Sequence, residues 1–345
     1  MDSTTADSIK SESCVPSALP SANSCQASHK QGKKMDVPVV AVIIPCYRVS
    51  RHVLEVIARI GPEVSMVFAV DDACPDGSGR LIQAECRDAR VRVLFHNENK
   101  GVGGAVITGY RAALAAGAEI MVKVDGDGQM DPALIPSFVA PIANGIADYT
   151  KGNRFSTVYA VRRMPAVRIL GNSVLSFLTK LSSGYWTIFD PTNGYTAAHV
   201  AALWQIELRN LSNRYFFESD MLINLGSVRA VVMDIPMEAV YGDEKSGLKI
   251  TSAIGEFLQK HIKEFCKRII YNYFMRDFSL ASLNFVLGLL LFWSGVLFGV
   301  VEWWRSVTTG VPASAGTVLL AALPVILGFQ LLLSNCSRGW PVAFT

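Results

Sequence analysis

The chain has 345 residues and a formal net charge of +3, and half of its residues are hydrophobic. That length holds one α/β domain with a full core and something besides, while so weak a charge carries no general affinity for nucleic acid. The seven cysteines form no CxxC pair and the five histidines no HxxxH spacing, which predicts reduced thiols and argues against a zinc site.

Residues 1–37 are rich in Ser, Ala, Pro and Lys without apolar periodicity, and a disordered tail is expected. No apolar segment follows their basic residues, so no signal peptide is expected, and Met1 and Met35 are both candidate starts. The β-branched run at 39–45 predicts a strand covered on both faces. Val53, Val56, Ile57 and Ile60 then recur at helical spacing. A second strand at 66–70 ends on Asp71 and Asp72, and the turn at 75–79 leads into a helix near 79–88. Residues 91–95 give a third strand and 101–116 a helix with a glycine-rich start. A fourth strand, 119–122, runs into Lys123-Val124-Asp125-Gly126-Asp127-Gly128-Gln129. This alternation predicts an α/β fold, a mostly parallel sheet flanked by helices. Ligands bind such sheets beyond the carboxyl ends of the strands, and Pro45, Asp71 and residues 125–129 all fall there.

In the stretch at 123–129 two carboxylates stand at i, i+2 with an amide two residues on, separated by glycines that let the backbone turn and approach a ligand. Oxygen ligands of this kind suit Mg²⁺ or Mn²⁺, with positions left for water and substrate phosphates. Asp and Gly are also ordinary turn residues, so the local pattern leaves both readings open. Residues 99–104 carry two readings as well, a phosphate cradle at a helix N-terminus and close packing of helix on sheet. They are not the dinucleotide fingerprint, because Val106 holds its last glycine position, and no Walker A sequence occurs.

Past Pro132 a helix is expected to about residue 144, then a short strand at 149–154 ending on Arg154. Arg162, Arg163 and Arg168 fall in or before the next helix. Residues 189–195 read as a polar turn. Residues 215–220 open a helix whose acids suit a helix N-terminus, residues 228–235 form a last strand, and 241–249 form a charged loop able to move. From 251 to 276 apolar residues recur at helical spacing with lysines between them, as in an interfacial helix; a helix packed on the soluble domain would show the same pattern. Two apolar runs, about 280–304 and 311–333, each exceed the roughly 20 residues needed to cross hydrocarbon. Trp303 and Trp304 suit an aromatic belt, and the Lys and Arg before the first run orient the soluble part and both chain ends to the cytoplasm. A hairpin this short leaves no room for a transport path, and pairing of hairpins would give a homo-oligomer. The expected segments are a tail (1–37), a catalytic domain (38–250), a juxtamembrane helix (251–278), two spans (279–335) and a C-terminal tail (336–345).

The ordered set Ile44-Pro45-Cys46-Tyr47, Val70-Asp71-Asp72 with Pro75-Asp76-Gly77-Ser78, Asn99-Lys100-Gly101, Asp125-Gly126-Asp127-Gly128-Gln129, Gly152-Asn153-Arg154, Asp190-Pro191-Thr192-Asn193-Gly194-Tyr195 and Lys245-Ser246-Gly247-Leu248-Lys249 resembles glycosyltransferase family 2. Within it the chain looks like the polyprenyl-phosphate branch, the dolichol-phosphate mannose synthases and bacterial polyprenyl-phosphate glucosyltransferases, over about residues 38–250. The resemblance implies a GT-A type nucleotide-binding fold and an inverting, membrane-bound hexosyltransferase. Its donor would be a nucleotide-sugar, UDP-glucose first, with GDP-mannose and UDP-N-acetylglucosamine open. Its acceptor would be an undecaprenyl or dolichyl phosphate. Pro45, Tyr47, Asp71, Asp72, Lys100, Gly101 and Asp125 would bind the nucleotide-sugar. Asp125, Asp127 and Gln129 would hold Mg²⁺ or Mn²⁺. Arg154, Arg163, Arg168 and Lys245 would bind the acceptor phosphate, and Asp127, Asp190 and Arg154 would act in catalysis, with Asp190 positioning the acceptor or a cation. Two departures from the family pattern stand out: Gly126, more flexible than the usual Ala or Ser, and Ala73-Cys74 where small polar residues are usual. The alternatives are a family member acting on another lipid or glycan, against which the lack of a QxxRW sequence counts, and a catalytically silent membrane scaffold.

Overall fold

The computed structural model describes residues 38–156, 166–238, 250–276, 278 and 280–338. The expected tail at 1–37, Arg162, Arg163, the loop at 241–249 with Lys245, and the residues past 338 lie outside the described residues.

Seven strands form one sheet: β1 (Val40–Cys46), β2 (Met66–Asp71), β3 (Val91–Phe95), β4 (Ile120–Lys123), β5 (Tyr149–Asn153), β6 (Thr196–His199) and β7 (Val232–Pro236), in the order β3-β2-β1-β4-β6-β5-β7. All neighbouring pairs are parallel except those made by β6, which runs antiparallel to β4 and β5. The fold is thus the expected α/β sheet with one reversed strand. That strand follows the 189–195 segment, which enters the sheet from the edge where β4 and β5 end.

Alternation along β1 feeds two cores. Val40, Val42 and Ile44 pack with α1 (Val53–Ala58) and α4 (Ile135–Ala143, entered through a 3₁₀ turn at Pro132–Leu134). Ala41 and Ile43 point to the opposite face, with α3 (Val102–Ala115) and α7 (Phe217–Ser227). Both faces are covered, so β1 reads as an uninterrupted apolar run. Gly109 lets α3 lie flat on the sheet, since a Cβ there would overlap Ile43. α2 (Ser78–Glu85), α5 (Ala166–Ser183) and the short α6 (Val200–Gln205) complete the layers.

α8 (Ile250–Ile270) covers the stretch expected to be amphipathic, followed by a π-helical turn at Tyr271–Arg276. One side of it packs on the α/β domain. His261 is 2% exposed, with Nδ1 2.9 Å from Ser182 Oγ and its ring edge-on to Phe216, and Arg268 donates to the Leu181 carbonyl. The other side leaves Leu258, Ile262 and Ile270 exposed. The packed side is the one the second reading expects, and the other side carries uncovered apolar residues.

α9 (Leu280–Thr309) and α10 (Ala315–Arg338) are each long and apolar enough to cross a membrane and are joined through residues 310–314. Glycines set their approach. A Cβ at Gly328 would stand 2.7 Å from the Gly288 carbonyl oxygen, and one at Gly295 2.8 Å from that of Ala321. Small residues at the crossing are how apolar helices pack closely where lipid offers no hydrophobic drive.

Candidate active site

The parallel register sets the site. Cys46 stands beside Asp71, Ile43 beside Lys123, and Thr196 beside both Lys123 and Lys151. The carboxyl ends of β1, β2, β4 and β5 and the start of β6 therefore share one edge of the sheet.

At the β1–β2 end, Pro45 is half-buried and Tyr47 exposed, with the Arg48 guanidinium 5.4 Å from the Tyr47 ring centre. Asp71 is buried and accepts 2.7 Å hydrogen bonds from the N–H groups of Cys74 and Gly79. Asp72, also buried, accepts from the N–H groups of Lys100 and Gly101 at 2.8 and 2.7 Å and lies 2.7 Å from His96 Nδ1. The fold thus brings Asp72, Lys100 and Gly101 together, with the carboxylate holding the loop. Gly101 has φ 86, and the neighbouring Gly103 and Gly104 lie against residues 212 and 213. Gly104 N–H is taken by the Asn213 carbonyl. Close packing, the second of the two readings of residues 99–104, is what the backbone does here. Cys74, at the position where a small polar residue is usual, behaves as one: it bonds to Asp76 and accepts from Arg48 N–H. Against the opposing effect of burial, hydrogen bonds from Cys74, Ser50 and Ser78 pull the Asp76 carboxyl down to about 2.

At the end of β4, Asp125, Asp127 and Gln129 are all half-buried. Asp127 Oδ1 accepts from Gln129 N–H at 3.0 Å, and Gly128 takes φ 78. Gly126 does not lie in the left-handed region; a Cβ there would stand 3.1 Å from Val49 and 3.2 Å from Ile44. Its smallness therefore serves close packing on β1 rather than flexibility. Among the described residues no set of three or more His, Cys, Asp or Glu converges as a metal cage. Two carboxylates and an amide fit a hard divalent ion that draws the rest of its shell from substrate phosphates and water.

Lys123 and Lys151 were not singled out by the sequence, yet both are almost wholly buried here. Lys123 Nζ stands 3.0 Å from Asp125 Oδ1 and 3.1 Å from Glu218 Oε1. Burial opposes its charge, but those two carboxylates outweigh it and hold the ammonium above its usual pKa. Glu218 is thus a partner of β4 and not only an acid at a helix start. Lys151 donates to the Asn193 carbonyl; burial drags it down to about 8, against the pull of Glu218 and Asp190. The signal available for Lys123 was a charge inside an otherwise apolar strand. Glu218 gave none, being 95 residues away.

At the end of β5, Arg154 meets Asp190 in a bidentate pair, Nε to Oδ2 at 2.7 Å and Nη2 to Oδ1 at 3.0 Å, and its Nη2 also reaches Thr192 at 3.2 Å. Asp190 is fully buried, while 28% of the Arg154 side chain is exposed. The segment expected as a polar turn is in fact interior: Asp190, Asn193 and Tyr195 are all buried. Beside this pair Phe155 and Phe189 stack edge to face at 5.4 Å. Leu170, Val174 and Phe177 on α5 and Trp186 beyond it are exposed. Arg168 lies in the first turn of α5, with its side chain outside the described residues.

Residues 41–207 match the family model described as Glycosyl transferase family 2. The chain is 28% identical over 217 residues, 59% of its length and 86% of the relative's, to a UDP-N-acetylglucosamine–dolichyl-phosphate N-acetylglucosaminyltransferase of Methanococcus voltae. It is 25% identical over 302 residues, 84% of its length and 78% of the relative's, to a dolichol-phosphate mannosyltransferase of Pyrococcus furiosus. Among solved structures it is similar to glucosyl-3-phosphoglycerate synthase of Mycobacterium tuberculosis, crystallised with Mn²⁺, UDP and phosphoglyceric acid. That likeness has a TM-score of 0.51 at 16% identity, covers 67% of this chain and 78% of that one, and bears on the fold alone. A GT-A type sheet with its polar groups on one edge, matched over residues 41–207 by the family model and by relatives of the polyprenyl-phosphate branch, shows that this chain carries a glycosyltransferase family 2 domain.

Proposed function

We propose that the chain moves a hexose from a nucleotide-sugar to a polyprenyl phosphate, with inversion, at the cytoplasmic face of a membrane. The observation that carries this reading is the shared sheet edge. A carboxylate pair suited to a metal–diphosphate stands at the end of β4, and a cation locked to a buried carboxylate stands at the end of β5, next to an exposed apolar surface. The relatives support the acceptor class, since both are named for transfer to a dolichyl phosphate.

Asp125, Asp127 and Gln129 would hold Mg²⁺ or Mn²⁺, which when bound supplies neutralisation of the charge that develops on the leaving diphosphate. Pro45, Tyr47 and Asp71 bound the nucleotide end, where Tyr47 offers an exposed ring. Asp190 holds Arg154 by two hydrogen bonds and so fixes the guanidinium that meets the acceptor phosphate. Arg suits that task because its planar fork matches phosphate oxygens. A phosphate monoester has a second pKa of about 6, so the acceptor attacks largely as a dianion and needs no strong general base. The edge-to-face pair Phe155–Phe189 and the exposed face of α5 give the polyprenyl chain an apolar path toward the membrane. Arg163, Arg168 and Lys245 are further candidates for screening the two anions.

UDP-glucose is the first donor to test, then GDP-mannose and UDP-N-acetylglucosamine. Membranes containing the full chain are incubated with each donor, undecaprenyl or dolichyl phosphate, and Mg²⁺ or Mn²⁺. Glycolipid product with one donor, abolished by chelator, is expected. Transfer to a different lipid or glycan, with polyprenyl phosphate left unmodified, would replace this reading.

A further inference from the structure

Lys123 has no role in the reading above. It is 1% exposed and lies between two carboxylates supplied by different elements, Asp125 at the end of its own strand and Glu218 in the first turn of α7. Asp125 Oδ1, the oxygen that faces the lysine, is shut off from solvent, yet 29% of the Asp125 side chain is exposed. With Oδ1 shut off, Oδ2 is the carboxylate oxygen left for a ligand. Gly194 closes the third side, since a Cβ there would overlap both Lys123 Nζ and Asp125 Oδ2. Gly194 belongs to the same buried segment as Asp190, so one stretch of chain seals the lysine and carries the partner of Arg154.

We propose that Lys123 is a positioning residue: it binds one oxygen of Asp125 permanently, so that Asp125 meets the metal–diphosphate through Oδ2 alone and in one orientation. A carboxylate can bind a divalent ion through one oxygen or two, and the lysine removes the second choice. Glu218 supplies the opposing charge that keeps the lysine in place, and the lysine, held between the two carboxylates, keeps net charge at the site one unit less negative than two bare carboxylates would. The inference rests on the metal-dependent transfer proposed above.

The test separates binding of the ion from its use. Full-length wild type and Lys123→Met are purified in detergent. Free Mn²⁺ is titrated by electron paramagnetic resonance without nucleotide, and donor KM and kcat are measured with the donor identified for wild type. Lys123→Met is expected to bind Mn²⁺ at least as tightly as wild type, because a cation next to the ligand is gone. It is expected to lose about tenfold or more in kcat/KM for donor, with the acceptor KM changed less than threefold. A purely structural lysine would weaken both measurements together, and that result overturns the inference, as does a donor kcat/KM within threefold of wild type. Should Lys123→Met fail to fold, Glu218→Gln, which keeps the lysine and the side-chain shape, decides. Here donor kcat/KM is expected to fall about three- to tenfold with the acceptor KM changed less than threefold, and an unchanged donor kcat/KM, or a loss shared equally by the acceptor KM, overturns the proposal. If wild type itself shows neither Mn²⁺ binding nor metal-dependent transfer, the proposed function fails, and not the role of Lys123 within it.

Discussion

Asp127, just past the end of β4, and Asp190, in the segment leading into β6, are both acids at the site edge, but their surroundings separate their work. Asp127 is half-buried at a turn where Gly128 takes a left-handed φ, so it can reach a bound ion. Asp127→Ala is expected to abolish turnover, and turnover at the wild-type rate would remove the metal reading. Asp190 is sealed and spends both oxygens on Arg154. Asp190→Asn keeps the shape but loses the charge-assisted bidentate pair. We expect kcat/KM for the acceptor to fall about 10- to 100-fold, equivalent to about 1.4 to 3 kcal/mol, with the pH profile unchanged. A collapse of kcat with a single acid limb left in the profile would instead make Asp190 a general base. Asp127 and Arg154 could be singled out because each follows a recognisable strand, whereas Asp190, in a stretch read as a polar turn, was singled out only through the family resemblance. That Asp190 is spent on Arg154, and Asp125 on Lys123, was not legible, since partners 36 residues apart and a buried ammonium leave no local pattern.

The mixed character of α8 shows in its chemistry. His261 faces the domain among Ser182 and Phe216, and burial pushes its imidazole down to about 4 from the usual 6.5. The unfolded chain takes up a proton as pH falls through 6.5 while the folded chain refuses it until about 4. Stability is therefore complete above pH 6.5 and declines between 6.5 and 4, by up to about 3 kcal/mol. Thermal unfolding of the detergent-solubilised protein should show this fall, and His261→Phe should flatten it. The hairpin makes a second claim at this scale. A side chain larger than hydrogen at Gly328 has nowhere to go beside Phe292 and Gly288. Gly328→Leu should separate α9 from α10 and lower the unfolding temperature, whereas the same change at Gly316, which has only Ser314 nearby, should have little effect. Periodicity announced α8, and two long apolar runs announced α9 and α10. Periodicity could not say which side of α8 meets the domain, because apolar residues occupy both sides and only the position of α5 chooses between them.

For the whole molecule, the α/β domain and the apolar hairpin put water-soluble donor chemistry and a lipid acceptor within one chain. The cytoplasmic orientation proposed for the domain is open to a direct test. In intact cells Val311→Cys, in the connection between α9 and α10, should react with a membrane-impermeant maleimide, while the wild-type chain with its seven cysteines should not. Labelling of wild type with equal efficiency would reverse the orientation. The sequence by itself determined the strand–helix alternation, the site edge, the hairpin and the family, because each is written in local periodicity, turn residues and short motifs. Only the tertiary structure decided the reversed β6, the burial of the 189–195 segment with Lys151 bonded to its Asn193 carbonyl, and the enclosure of Lys123 between Asp125 and Glu218. Strand direction and buried charge pairing depend on which distant segments meet, here β4 with β6 and α7. The stretch at 123–129 had two readings as a piece of chain, and its packing against Gly194 and Glu218 is what gives its first carboxylate a single orientation.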